Sequence, residues 1–273
     1  MMTRNGKFKF FVTGAIAAAG LALSTANASA AALTGQLNIS SDNAGGVRIY
    51  ADRIDWFTPN DAAIGGNGAI VVGGSNTGSF AGMAGVTGLA KDLSQAQQPV
   101  ASPFAVVGGN QNLPGEGVVL VDFLTFNGAF TNVHFDLSFI AAGSFGSGSC
   151  GAAPAPGQTC TPPGSPFSLT NNDAGPGVVT STATFTVRGY VRNTADSPAS
   201  LSQFIGTYTT QFNIPFQDVL ATIAAQGYID NTYSGTFNAT IIPVVPEPAT
   251  MLTFGAGAAL LAARRRRKMN KVQ

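Results

Sequence analysis

The sequence predicts an all-β body: a β-sandwich or jelly-roll-like domain with one short helix near its C-terminal end. Three observations predict it. Between residues 33 and 245 the helix formers Lys, Glu and Arg nearly vanish, while Gly, Ser, Thr and Asn abound. Segments with period-two alternation recur, clearest where Val133, Phe135, Leu137 and Phe139 interleave with His134, Asp136 and Ser138. Gly, Asn and Pro clusters punctuate those segments as turns do. With 19 Phe the chain has ample apolar surface for a core. The body, residues 31–243, is read as one such domain; the alternative is two smaller sandwiches meeting near residues 100–117.

Residues 1–30 precede that body and have the three regions of a secretory leader. Arg4, Lys7 and Lys9 are followed by an apolar helical stretch from Phe10 to Leu23, then by small residues at Ala26-Asn27-Ala28 and Ala28-Ser29-Ala30. Cleavage after Ala28 or Ala30 is expected, by the general secretion machinery rather than the twin-arginine route.

The body opens with strands over 33–40 and 47–56, separated by a turn in Ser41 to Gly46. Val47 and Ile49 have the opposite parity to Ile54 and Trp56, so a bulge near Asp52-Arg53 is expected to bring them to one face. Asp42, Asp52, Asp55 and Asp61, with Asn43 and Asn60, lack the regular spacing of a calcium loop and read as a solvated turn. Residues 58–117 hold short apolar pieces between glycine pairs, read as turns. Those glycines lack the strand, spacing and following helix of a phosphate loop.

From Val118 the β signal sharpens. A central strand to Phe126 is interrupted only by Asp122 and Thr125, Asn127-Gly128 supplies a tight turn, and residues 133–139 return. His134, the only histidine, stands two residues from Asp136; the alternation predicts both to be solvent-exposed rather than a base and its orienting carboxylate. Strands are expected over 178–191, 204–214 and 229–242, each with one apolar face. The last two share Thr-Tyr and Phe-Asn at matching offsets. Between them Phe216, Val219, Leu220 and Ile223 recur at helical spacing, with Pro215 ahead and Gly227 behind, so residues 215–226 read as the helix.

Cys150 and Cys160 are the only cysteines. A leader that delivers the chain to an oxidising compartment, an even count and a glycine- and proline-containing spacer predict a disulfide closing a surface loop.

The tail, residues 244–273, has three parts. Val245, Pro246, Glu247 and Pro248 form an extended stretch that two prolines keep from helix. A run from Met251 to Ala263 follows, a short membrane helix; from Ala249 it spans roughly 22 Å, short of the roughly 30 Å hydrocarbon core. Then Arg264, Arg265, Arg266, Arg267 and Lys268 hold the end on the cytoplasmic side. This order resembles the PEP-CTERM sorting signal of exported bacterial proteins. The resemblance implies recognition of Pro246, Glu247 and Pro248 by an exosortase, a membrane-embedded cysteine protease-transpeptidase. It further implies transient anchoring in the inner membrane, with Arg264 to Lys268 as the retention cluster. The expected destination is the cell surface, outer membrane or exopolysaccharide matrix of a biofilm. It implies no activity for the body.

Charge and motif content weigh the function classes. With leader and tail set aside, five cations face twelve carboxylates, so the body is acidic and nucleic acid is excluded as a partner. No nucleophile elbow, zinc-binding helix or Ser/His/Asp context is present, and Glu116 is the body's only Glu. The expectation is therefore a non-enzymatic protein without cofactor, metal or catalytic residues, in a structural or interaction role. The alternative is a carbohydrate-binding module for matrix polysaccharide, with Trp56, Tyr190 and Tyr50 as platform aromatics.

Overall fold

Alternating side chains give each strand one apolar face, and a sheet whose edges meet leaves no row of unpaired backbone groups. A computed structural model describes residues 32–42, 45–50, 54–57, 67–91, 120–196, 200–242 and Gly257. In chain order the elements are β1 (Gly35–Ser41), β2 (Gly46–Tyr50), β3 (Ile54–Phe57), β4 (Asn67–Val72), β5 (Thr87–Lys91), β6 (Leu120–Phe126) and β7 (Val133–Ile140). They continue with β8 (Thr159–Cys160), β9 (Ser168–Asp173), β10 (Val179–Asn193), β11 (Ser200–Phe212), α1 (Phe216–Gln226), β12 (Tyr228–Asn231) and β13 (Ser234–Ile241).

Eight of these strands close an antiparallel barrel in the order β11-β13-β1-β4-β5-β6-β7-β10, the ring being completed by β10 against β11. The expected sandwich or jelly roll is thus corrected to a barrel. Two long strands make closure possible. All of Ser181 to Asn193 pairs with β11, while the other edge of β10 is divided between β9 up to Thr184 and β7 from Val187 onward. Glycines give the interior room: a Cβ at Gly206 would lie 2.5 Å from the Phe237 ring, and one at Gly189 1.9 Å from the Asp136 carbonyl oxygen. β5 pairs with β6, so the strands on either side of residues 100–117 share one sheet.

Aromatic rings fill the barrel. Phe135 packs against Phe204 at 5.1 Å between centroids and against Phe237 at 5.6 Å, with Phe80 and Phe126 beside it. A second layer stacks Phe185 on Tyr208 at 4.9 Å and sets Trp56 5.5 Å from both Tyr208 and Phe123. Burial of side chains this size is the main stabilising term of the fold.

Trp56 reaches that layer from a separate three-stranded sheet, β12-β2-β3. Val47 pairs with Trp56 and Ile49 with Ile54, so it is a hairpin reversal, not the expected bulge, that puts all four on one buried face. The strand expected over 229–242 is likewise two strands. β12 joins the small sheet and β13 the barrel, leaving Ile241 62% exposed at the end rather than in the core. The Asn127-Gly128 tight turn is a longer connection with a 3₁₀ turn over Gly128–Phe130.

The helix forms as its spacing predicts. Pro215 precedes α1 in extended conformation, Phe216, Val219 and Ile223 are buried, and Gly227 ends the helix at φ 88°, where a Cβ would be disfavoured. The Cys150–Cys160 disulfide is present, with Cα atoms 5.2 Å apart. Among the described residues no helix is long and apolar enough to cross a membrane. The leader with Ala28 and Ala30, the sorting residues Val245 to Pro248, the apolar tail apart from Gly257, and the basic cluster lie outside the described residues.

Candidate functional site

One cluster of titratable side chains that the fold brings together lies on the outer wall where β6, β7 and β10 meet. The β7–β10 register places Arg192 opposite His134 and Tyr190 opposite Asp136. A register shift between Leu120 and Leu124 disrupts β6, and inside it Asp122 takes a left-handed φ of 60°, a conformation Asp tolerates better than most residues. Its backbone N–H then donates to the Asp136 carboxylate at 2.8 Å.

Arg192 binds both carboxylates. Its Nε donates to Asp136 Oδ2 at 2.7 Å and its Nη2 to Asp122 Oδ1, the oxygen that also lies 2.7 Å from His134 Nδ1. The hydrogen bonds to Asp136, followed by the Coulombic pull of both carboxylates, hold the guanidinium's pKa above its ordinary value despite partial burial. Asp136 is buried at 6% exposure, which overturns the expectation that it is solvated; His134 is half-buried. Two carboxylates around one guanidinium lock three strands together. To act as a base on a nucleophile, His134 would need a hydroxyl or thiol in reach; among the described residues its hydrogen-bond partner is Asp122.

Sequence reasoning weighed His134 with Asp136 and missed the other two members. Asp122 was visible as the charge interrupting an apolar strand, and Arg192 as one of only five cations in the body. What joins them is strand register, which no local pattern reveals.

The proposed sugar-platform aromatics separate. Trp56 is 2% exposed within the aromatic core and Tyr190 1% exposed, so neither offers a ring face to a ligand. Tyr50 is half-buried and pairs across β2–β12 with Tyr228, their rings 5.9 Å apart. Beside them Arg48 makes a two-pronged ion pair with Asp230, at 2.7 and 2.8 Å, and lays its guanidinium 3.9 Å from the Tyr228 ring centre. Of the expected turn acids, Asp55 is buried on β3, whereas Asp52 and Asp61 lie outside the described residues.

Residues 244–267 match the PEP-CTERM protein-sorting motif family, so the chain carries a PEP-CTERM sorting signal. That motif implies exosortase as processing partner, with export and transient membrane sorting. No curated protein and no solved structure matches the chain.

Proposed function

We propose that this chain is a non-catalytic exported protein whose barrel is displayed at the cell surface, in the outer membrane or in an exopolysaccharide matrix, with a structural or interaction role there. The observation that carries the reading is the sorting motif at residues 244–267. An N-terminal leader pattern at the other end supports it, as does a disulfide suited to an oxidising compartment. The outer wall supports it too. Thr184 faces Thr209 and Thr186 faces Thr207 across β10–β11, and Thr207 faces Thr236 across β11–β13, so this stretch of wall, beside the exposed Arg188, presents a row of hydroxyls.

Deleting Pro246 to Pro248 tests it. Export across the inner membrane should proceed while the uncut chain accumulates there, detected as a slower-migrating band in the membrane fraction. Normal processing and release of the deleted protein would refute the exosortase reading.

A second reading, binding of matrix polysaccharide, is narrowed to the Tyr50–Tyr228 face, since Trp56 and Tyr190 are core residues. On that reading Tyr50→Ala weakens retention on immobilised matrix polysaccharide without changing thermal unfolding; unchanged retention removes it.

A further inference from the structure

A pocket of about 170 Å³ lies between α1, the small sheet and the loop that follows the disulfide. Leu169, Ala183, Phe212 and Ile223 line it as buried walls, and the half-buried Tyr50 and exposed Ala224 are among its rim residues. Among the described residues no charged side chain lines it. We infer that this pocket binds one small uncharged apolar molecule, a single ring or a short alkyl chain.

Volume and lining set the ligand class. An apolar cavity of roughly 150 Å³ accommodates a benzene-sized molecule and stays dry, so this space suits one ring or about six carbons. A carboxylate or ammonium group would enter without a countercharge and lose its hydration. Tyr50 and Ser165 are the polar residues in the lining, and the Ser165 hydroxyl already accepts a hydrogen bond from the Phe167 backbone N–H at 3.1 Å.

The pocket is held open by its frame. Asn171, 1% exposed on β9, accepts a hydrogen bond from the Phe216 backbone N–H at 2.9 Å and donates to Gln217 Oε1 at 3.0 Å, fixing the start of α1. Gln217 donates in turn to Gln158 Oε1 at 2.8 Å, within the loop that the Cys150–Cys160 bond closes. A helix pinned at its first turn by this polar network cannot settle inward to fill the space, and preformed apolar space of this kind is where small molecules bind.

Fluorobenzene is the probe, titrated into the full chain in lipid nanodiscs and followed by fluorine NMR, with a parallel titration into nanodiscs that hold no protein. The inference expects more line broadening with the protein than with empty nanodiscs, and its reversal by toluene. In Ala224→Leu, a rim substitution on an exposed helix position, the affinity falls about tenfold while thermal unfolding is unchanged. Ala183→Leu, which fills the wall, gives the same loss. Benzoate binds about tenfold more weakly than toluene. Broadening no greater than empty nanodiscs give, undiminished binding by both leucine variants, or benzoate binding as tight as that of toluene would each overturn it.

Discussion

Tyr208 carries its hydroxyl into the aromatic core, where among the described residues it has no hydrogen-bond partner. Burial, and secondarily the neighbouring Tyr233, push its pKa well above the ordinary tyrosine value. The neutral form is thus favoured in the fold. Its contribution is fully present below the unfolded value of about 10 and is lost as pH rises beyond it. Tyr208→Phe should flatten that alkaline loss and leave stability near neutral pH unchanged or about 1 kcal/mol higher, measured by urea unfolding at about pH 8 and about pH 11. Gly206→Ala should have the opposite sign, because its methyl would lie 2.5 Å from the Phe237 ring; a loss of about 1 to 3 kcal/mol is expected in the same assay. Alternation correctly places Phe185, Val187 and Val191 inside. It fails for Tyr190, on the opposite face of the same strand yet 1% exposed, since period two distinguishes faces and not what covers them.

Among elements, β10 does most to organise the wall, and its contact with β7 is reinforced by the Arg192–Asp136 pair. Removing the buried partner leaves a guanidinium with only Asp122 and takes away the acceptor for the Asp122 N–H. Asp136→Ala should therefore destabilise by about 2 to 3 kcal/mol in denaturant unfolding, more than Asp122→Ala, whose side chain is 41% exposed. The disulfide is a second lock. Replacing Cys150 and Cys160 by Ser should lower stability by about 2 to 3 kcal/mol on the loop-entropy account. The helix and the pairing of Cys150 with Cys160 were legible in the sequence, because both depend on local spacing. The barrel was not: the same alternating strands serve a sandwich, and closure depends on which strand β10 meets beyond its turn to β11. The hairpin of β2 and β3 escaped for a related reason. A parity change reads equally as a bulge or as a reversal of direction, and only pairing decides.

At the scale of the molecule, chemistry and address are carried by different parts of the chain. The last barrel strand, β13, ends at Ile241, and the sorting motif follows it in the chain at residues 244–267. The motif was legible from sequence alone because recognition by a processing enzyme reads an extended peptide, a short apolar run and a basic cluster in order, without tertiary assembly. The charged cluster on the wall needed register, and the pocket beneath α1 needed packing. The most direct test of the sorting account is mass spectrometry of the protein recovered from the cell surface or matrix fraction. The account predicts a C-terminal peptide ending near Pro246 to Pro248, with the Arg264 to Lys268 segment absent. Surface-fraction protein that retains an unbroken chain through Arg264 to Gln273 would contradict it.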